Sequence, residues 1–286
     1  MALNPALPPT ADFIINDQLI RIKAFDASEA QQNLQGQAVN IIASGPSIAD
    51  LTFATLQDTP TIFVNGSISL IAQHNFTTVV GYVISDARFI NHQPEILREY
   101  YKGQPLYATL AVFEAMAITH PEVICSYHGA MRILYPVDRP WSVKSNQSLL
   151  SKLSFKNKWL QRKKTLSSFI DNEHFMIDAS HKPAAIGVSL DITHGFVESG
   201  TVAYVAAQLA FSRQAGAIHL YGIDLLNSSQ PRFYESAHNS APSKLDKAVH
   251  ERIAPSFNLL AKVYKSHGVS VVNHSPISQS LFKFNE

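Results

Sequence analysis

Small polar residues follow three short apolar runs in the first third of the sequence. Ser44-Gly45-Pro46-Ser47 comes after the first run, Asn65-Gly66-Ser67 after the second and Ser85-Asp86 after the third. A glycine lets the backbone turn closely, a serine can cap a helix whose free N–H groups attract anions, and an amide both donates and accepts. We interpret these residues together as a ligand site, although helix capping explains each of them taken singly.

The second half of the chain repeats this pattern. Glu198-Ser199-Gly200 precedes a helix-length segment, and Tyr221-Gly222-Ile223-Asp224 ends the apolar run after it. The stretch beyond holds Arg232, Tyr234 and His238, which are chemically capable side chains in a predicted loop. Since loops on a rigid sheet usually carry catalytic groups, we predict ligand binding by Ser199, Gly200 and Asp224, and catalysis by the group at 232–238.

Bulk composition excludes several classes of protein. With 23 basic and 22 acidic residues the net charge is +1, which provides no general attraction for nucleic acid. The single cysteine, Cys125, rules out an internal disulfide and any multi-cysteine metal site. It ends the apolar run Glu122 to Cys125, which we predict to be a buried strand. Neither a P-loop nor a Gly-x-Gly-x-x-Gly fingerprint is present in the sequence.

The elements that must position these residues alternate between apolar strands and helices. This alternation predicts an α/β fold with a single Rossmann-like, doubly wound parallel sheet, in which ligands bind beyond the carboxyl ends of the strands. We predict an irregular N-terminal arm over residues 1–37, because it contains three prolines, and a nucleotide-binding domain over residues 38–286. The predicted strands are Ala38–Ala43, Thr61–Val64, Thr78–Ile84, Leu106–Thr109, Glu122–Cys125, Ala217–Tyr221 and Val269–Val272, and the longest predicted helices are Gly200–Ala215 and Lys244–His267. A further predicted helix follows Ser44-Gly45-Pro46-Ser47 and extends to about Leu56.

A basic insert, at about residues 140–170, departs from the average composition. Residues 144–164 hold several lysines and arginines and no acidic residue, interleaved with leucines and aromatic residues, which is typical of an amphipathic helix or lid. It is either a solvated insert packed on the domain or a surface that meets anionic lipid. With neither a signal peptide nor an apolar stretch long enough to span a bilayer, we expect a cytoplasmic protein, free or on the inner face of the inner membrane.

The ordered motifs resemble those of a known family. Ser44-Gly45-Pro46-Ser47, Phe63-Val64-Asn65, Ser199-Gly200, Tyr221-Gly222-Ile223-Asp224 and Asn273-His274-Ser275-Pro276 are similar to landmarks of bacterial lipooligosaccharide sialyltransferases, over about residues 38–280. More distantly, the pattern resembles proteins that add Kdo, another CMP-activated ulosonic acid, to the lipopolysaccharide core. The resemblance implies a CMP-sugar donor, a glycolipid acceptor, inversion at the anomeric carbon, and neither a cofactor nor a required metal.

The resemblance also implies roles for individual residues. Ser44 and Asn65 would meet the donor sugar or the cytidine, and Ser199 and Gly200 would meet polar groups of the donor. The family has a tyrosine directly after its Gly-Ile-Asp, whereas this chain has Leu225. Because that tyrosine is absent, Kdo or a related ulosonic acid is at least as good a candidate as sialic acid.

The departing phosphate and the acceptor proton need partners in an inverting transfer. Tyr234, aided by Arg232, is the candidate for contacting the phosphate, since an arginine fork matches phosphate oxygens. His238 is our candidate for the general base, and His250 and His194 are its rivals.

Two other functions remain open from the sequence, as does the oligomeric state. One is a magnesium-dependent, pyrophosphokinase-like enzyme in which Asp86, Asp191 and Asp224 cluster around the metal. The other is a non-catalytic nucleotide-binding protein of envelope synthesis, which would bind CMP without transferring a sugar.

Overall fold

The chain forms a large, mostly parallel β-sheet with helices, in a computed structural model that describes residues 7–30, 34–141, 165–227, 232–234 and 246–285. The predicted α/β class is confirmed. The strands of these residues are β1 Thr10–Ile15, β2 Gln18–Ala24, β3 Ala38–Ile42, β4 Thr61–Val64, β5 Val79–Ile84, β6 Leu106–Thr109, β7 Met131–Leu134, β8 Phe175–Asp178, β9 Ile186–Ser189, β10 Ala217–Tyr221 and β11 Ser270–Asn273.

The helices lie mostly between parallel strands. A π-helical turn, Val249–Ile253, joins the last two α-helices into one continuous helix. The α-helices of the described residues are α1 Ala27–Ala30, α2 Ala87–His92, α3 Pro94–Tyr100, α4 Leu110–Thr119, α5 Pro121–Tyr127, α6 Val202–Ser212, α7 Asp246–Ala248 and α8 Ala254–Ser266.

The main sheet has nine strands in the order β1-β2-β7-β6-β5-β4-β3-β10-β11. Strands β1 and β2 pair antiparallel, and all the other neighbours in this sheet pair parallel. Strands β8 and β9 form a separate antiparallel pair. Parallel strands all end at the same edge, so the loops after β3, β4, β5 and β10 share one edge of the sheet.

Both faces of the sheet are buried, which explains why its strands are apolar without alternation. In β4, Ile62 and Val64 belong to the core that contains α6 and α8, whereas Phe63 belongs to the core that contains α2 to α5. All three side chains are at most 3% exposed. The two cores hold the strand ends rigidly and so fix the positions of the loops.

The prediction of an irregular N-terminal arm is wrong for residues 10–24. They form the β1–β2 hairpin, in which Ile15 pairs with Gln18 across the two-residue loop Asn16-Asp17. The loop residues have φ angles of 50° and 60°. Positive φ at both positions matches the twist of a tight hairpin, and Asn and Asp adopt it more readily than other side chains. The hairpin extends the sheet beyond β7.

Two further predictions of secondary structure are wrong. Glu122–Cys125 lies inside α5, where Pro121 takes the first helical position and Cys125 is partly exposed. A four-residue apolar run fits a strand or a helix equally well, so the run itself did not decide between them. The segment after Ser44 forms two short 3₁₀ turns, Pro46–Asp50 and Phe53–Thr55, in place of one helix.

Candidate active site

The strand order changes direction at β3. The chain runs outward from β3 through β4, β5 and β6 to β7, and then returns to β10 on the other side of β3. Open α/β sheets bind ligands near such a point, in the crevice outside the carboxyl ends of the strands. The predicted site residues Ser44, Asn65 and Asp224 follow β3, β4 and β10, which lie at or next to this point, and Asp86 follows β5, one strand further away.

The loops after β3 and β10 are bound to each other. The Asp224 carboxylate accepts hydrogen bonds from the Ser47 N–H at 2.7 Å and from the Ser47 hydroxyl at 2.8 Å. A Cβ on Gly45 would lie 2.3 Å from Asp224 Oδ2, so only glycine permits this approach. The prediction that Ser47 caps the following helix is wrong, because Ser47 lies inside the 3₁₀ turn Pro46–Asp50 and its N–H is bound by a carboxylate of the chain itself.

The side chain of Ser67 fastens two strand ends together. Its hydroxyl donates to the Ile42 carbonyl oxygen at 2.6 Å and accepts the Val64 N–H at 2.9 Å, and the residue is 0% exposed. The Ser67 side chain therefore bonds the backbone in this structure, and its donor-binding role stays a prediction. Its hydroxyl satisfies the backbone at the ends of β3 and β4, which a buried chain reversal requires.

Asn65, in contrast, keeps bonding capacity for a ligand. It follows β4 with φ at 50°, and its buried Oδ1 accepts no hydrogen bond among the described residues. The Tyr234 ring packs on the neighbouring Gly66, where a Cβ would lie 2.1 Å from Cε1 of the ring. The Phe233 N–H lies 3.3 Å from the Ser44 carbonyl oxygen and donates to it. The structure thus places Tyr234, preceded by Arg232, at the ends of β3 and β4, and the phosphate-binding role of these two residues stays a prediction.

Asp86 caps the helix that follows β5. Its carboxylate accepts the Arg88 N–H at 2.9 Å and forms an ion pair with the Arg88 guanidinium. Burial raises the pKa of Asp86, but the hydrogen bonds from Arg88 outweigh burial and hold the pKa below its ordinary value. The carboxylate is therefore ionised at neutral pH.

Ser199 lies in a second polar group at the same edge. The residue is 0% exposed, and its hydroxyl has no hydrogen-bond partner among the described residues. The next residue, Gly200, has a φ of 100°, a conformation that side chains rarely adopt. An unsatisfied buried hydroxyl destabilises a protein by about 1–3 kcal/mol, so its persistence here points to a ligand.

Two buried carboxylates and two arginines surround Ser199. Arg139 donates to Glu198 Oε2 at 2.8 Å and to the Ser85 carbonyl oxygen at 2.7 Å, which ties the group to the end of β5. Arg252, on the π-helical turn, lies 3.6 Å from Asp138 Oδ2 and also donates to the Glu198 carbonyl oxygen. Burial raises the pKa of both carboxyls, although the arginine charges oppose the shift.

Comparison with known protein sequences identifies the family. The sequence matches the family described as 3-deoxy-D-manno-octulosonic acid (Kdo) transferase WaaZ over residues 22–278. The chain belongs to this family. Two relatives named probable 3-deoxy-manno-octulosonic acid transferase, from Salmonella typhimurium and Escherichia coli, are 26% and 25% identical over 78% and 82% of this chain and 76% and 77% of their own length. The predicted resemblance to Kdo transferases and the prediction of a glycosyltransferase are confirmed.

Two of the three histidines proposed as a base, His194 and His250, lie within the described residues. His238 lies outside the described residues, so its role stays a prediction. His250 is exposed on the π-helical turn, beside a groove that α8 also lines. His194 stacks on His174 with the ring centroids 3.5 Å apart and lies beside Asp191. Neither His250 nor His194 follows a strand of the main sheet.

The alternative magnesium site does not form among the described residues. Asp86 pairs with Arg88 and Asp224 binds Ser47, whereas Asp191 caps the turn that leads to His194. Within the described ranges, the one group of potential metal ligands whose atoms all lie within 4.8 Å of one another is His174, Asp191 and His194. The three aspartates that the alternative requires are therefore not gathered around one point.

Sequence reasoning missed the group around Asp138. Strand β7 was not among the predicted strands, and Asp138 and Arg139 follow it by only a few residues. An apolar run, Ile133 to Val137, ends in Asp138-Arg139, and this was the available signal. Glu198 was noticed only as the residue before Ser199.

No described helix is both long and apolar enough to cross a membrane. The predicted basic insert at 144–164 lies outside the described residues.

Proposed function

We propose that this protein transfers Kdo from CMP-Kdo to a lipopolysaccharide core acceptor, with inversion and without a metal ion. Family membership supports Kdo transfer. The observation that carries the donor site is the unsatisfied Asn65 Oδ1 beside the Tyr234 ring, at the point where the strand order changes direction.

The chemistry of this crevice suits a nucleotide with one phosphate. The Asn65 amide offers hydrogen bonds to the exocyclic amine of cytosine or to a sugar hydroxyl. The Tyr234 ring gives an aromatic wall, and Arg232 precedes it in sequence with a fork that matches phosphate oxygens. As CMP departs, these two side chains would stabilise its phosphate, so that the reaction needs no cation.

The remaining parts of the proposal come from the sequence. His238 is the predicted base, and Ser44, Ser199 and Gly200 complete the donor site. Since the acceptor is a glycolipid, the reaction takes place at the cytoplasmic face of the inner membrane, where the basic segment 144–164 would meet anionic lipid.

The donor site is tested by thermal shift with CMP, CDP, UDP, GDP and ATP, each with and without Mg²⁺. We expect CMP to stabilise the protein without Mg²⁺, by roughly 2.7 kcal/mol at a hundred times its Kd. In Gly66→Ala the new methyl group displaces the Tyr234 ring, and the CMP shift should fall by more than half. Gly129→Ala is the matched control, because its Cβ meets nothing within 4 Å.

The proposal also requires transfer of Kdo from CMP-Kdo to purified core lipopolysaccharide in the presence of EDTA. Stabilisation by ATP with Mg²⁺ but not by CMP would contradict the proposal. An equal CMP shift in Gly66→Ala and Gly129→Ala would remove Tyr234 and Asn65 from the donor site.

A further inference from the structure

The polar group beyond β7 contains a carboxylate that no described contact fully satisfies. Asp138 Oδ2 faces Arg252 at 3.6 Å, whereas Oδ1 is buried and has no hydrogen-bond partner among the described residues. The side chain as a whole exposes 11% of its area, so Oδ1 lies just beneath the protein surface. A desolvated carboxylate oxygen without a donor is unfavourable, and a substrate hydroxyl would supply the missing hydrogen bond.

A second unsatisfied atom lies beside this carboxylate. The Ser199 hydroxyl is fully buried and has no partner among the residues that the structure describes. The backbone N–H of Glu198, the residue before Ser199, donates to Asp138, so Ser199 is one position along the chain from this contact. A carboxylate that only accepts and a hydroxyl that donates and accepts are together complementary to a sugar hydroxyl.

The group lies within reach of the donor crevice. Arg139 bridges Glu198 to the Ser85 carbonyl oxygen at the end of β5, and β5 pairs with β4, which carries Asn65. Neighbouring strands are about 4.8 Å apart. Arg139 is therefore anchored at the strand end next to the one that precedes Asn65, on the same edge of the sheet.

We propose that Asp138, in place of the sequence-predicted His238, is the general base of the transfer, and that Glu198, Arg139 and Arg252 are positioning residues that hold it. This inference rests on the proposed function. The acceptor hydroxyl gives its proton to Asp138 Oδ1 while its oxygen forms a bond to the anomeric carbon of Kdo. The bond from that carbon to the CMP phosphate breaks, and its electron pair leaves with CMP. Asp138 later returns the proton to solvent.

The surroundings of Asp138 determine the pH at which it acts. Four ionisable side chains interact electrostatically in this group, either with Asp138 or with its partners. They are Arg252 on the π-helical turn, Arg139 in the segment after β7, Glu198 in the segment before α6, and Tyr204 on α6. Burial raises the pKa of Asp138 above its ordinary value. Since a base acts only when deprotonated, kcat should fall as the pH falls through this raised pKa.

The test compares Asp138→Asn with the wild type and with His238→Ala, using CMP-Kdo and core lipopolysaccharide. We expect Asp138→Asn to lower kcat by about 10²- to 10⁴-fold. The fall of kcat at acidic pH, which is the acidic limb of its pH profile, should disappear, and the thermal shift with CMP should be unchanged. Asp12→Asn, in the exposed Asp12–Arg21 pair of the hairpin, is the control and should match the wild type.

Two results would overturn the proposal. One is a folded Asp138→Asn protein within tenfold of the wild-type kcat. The other is an acidic limb that persists in Asp138→Asn and disappears in His238→Ala.

If Asp138→Asn does not fold, Asp138→Glu tests the assignment instead, because it keeps the negative charge. A displaced acidic limb would support the assignment, and a limb at the wild-type pH would refute it. Failure of the proposed function is recognised separately, as a wild-type protein that neither binds CMP nor uses CMP-Kdo.

Discussion

Replacing Asp224 by alanine tests whether its carboxylate holds the site together or binds the donor. Asp224 is 9% exposed, and its two oxygens accept from Ser47 at 2.7 and 2.8 Å. Hydrogen bonds to a charged group contribute roughly 1.5–3 kcal/mol each, so Asp224→Ala should lower the free energy of unfolding by about 3–5 kcal/mol. Ser47→Ala removes only the hydroxyl bond and should lower it by about 1.5–3 kcal/mol.

The assay is a double-mutant cycle measured by thermal denaturation and by urea. At roughly 2–4 °C per kcal/mol for a large domain, Asp224→Ala should lower the Tm by about 6–20 °C. The double variant should cost less than the sum of the single variants, because each removes the same hydroxyl bond. Additive effects, or a Tm change under 2 °C with loss of the CMP shift, would show that Asp224 serves the ligand and not the loop.

Two further predictions concern buried polar contacts. Gln208 is 0% exposed, and its side chain binds the Ser189 N–H and both backbone groups of Val197. Gln208→Leu leaves these three backbone groups unsatisfied and should destabilise the protein by at least about 3 kcal/mol. An unchanged Tm in calorimetry would contradict this. Burial holds the pKa of His219 and His274 below 6.5, so the unfolded chain binds more protons and stability falls as the pH drops below this value. In His274→Gln the slope of Tm against pH between 7 and 5 should become shallower, and an unchanged slope would refute the assignment.

The sheet was predictable because its strands are buried on both faces. Runs such as Thr61–Val64 are apolar without alternation, and each is followed by a loop with Gly, Ser or Asn. The hairpin was not predicted, because three prolines in the first 37 residues favour irregular structure. The dipeptide Asn16-Asp17 nevertheless lies between two β-prone runs. Local sequence therefore contained the signal for both, and only one was recognised.

The directions of the site side chains were not predictable in the same way. Ser47 and Asp224 are 177 residues apart, and their contact exists only because β10 returns to lie beside β3. The pairing of Asp138 with Glu198 depends on the bridge between Pro136 and Phe196, which joins two loops far apart in the chain. Such contacts are set by tertiary structure, which residue type and spacing along the chain do not specify.

Hydrogen-bonding capacity separates structural from functional residues at this edge of the sheet. Ser47, Ser67 and Asp224 have the residue types of a ligand site, yet each side chain binds the protein itself. Asn65 and Ser199 keep a buried polar atom without a partner among the described residues. Since nearly all buried polar groups in folded proteins are hydrogen-bonded, an atom of this kind at a strand end is a candidate for ligand contact, whereas the unpartnered phenols of Tyr82 and Tyr101 lie in the core. The same criterion selects Asp138 over the better-placed motifs, and it could be applied to any strand end that sequence alone makes a candidate.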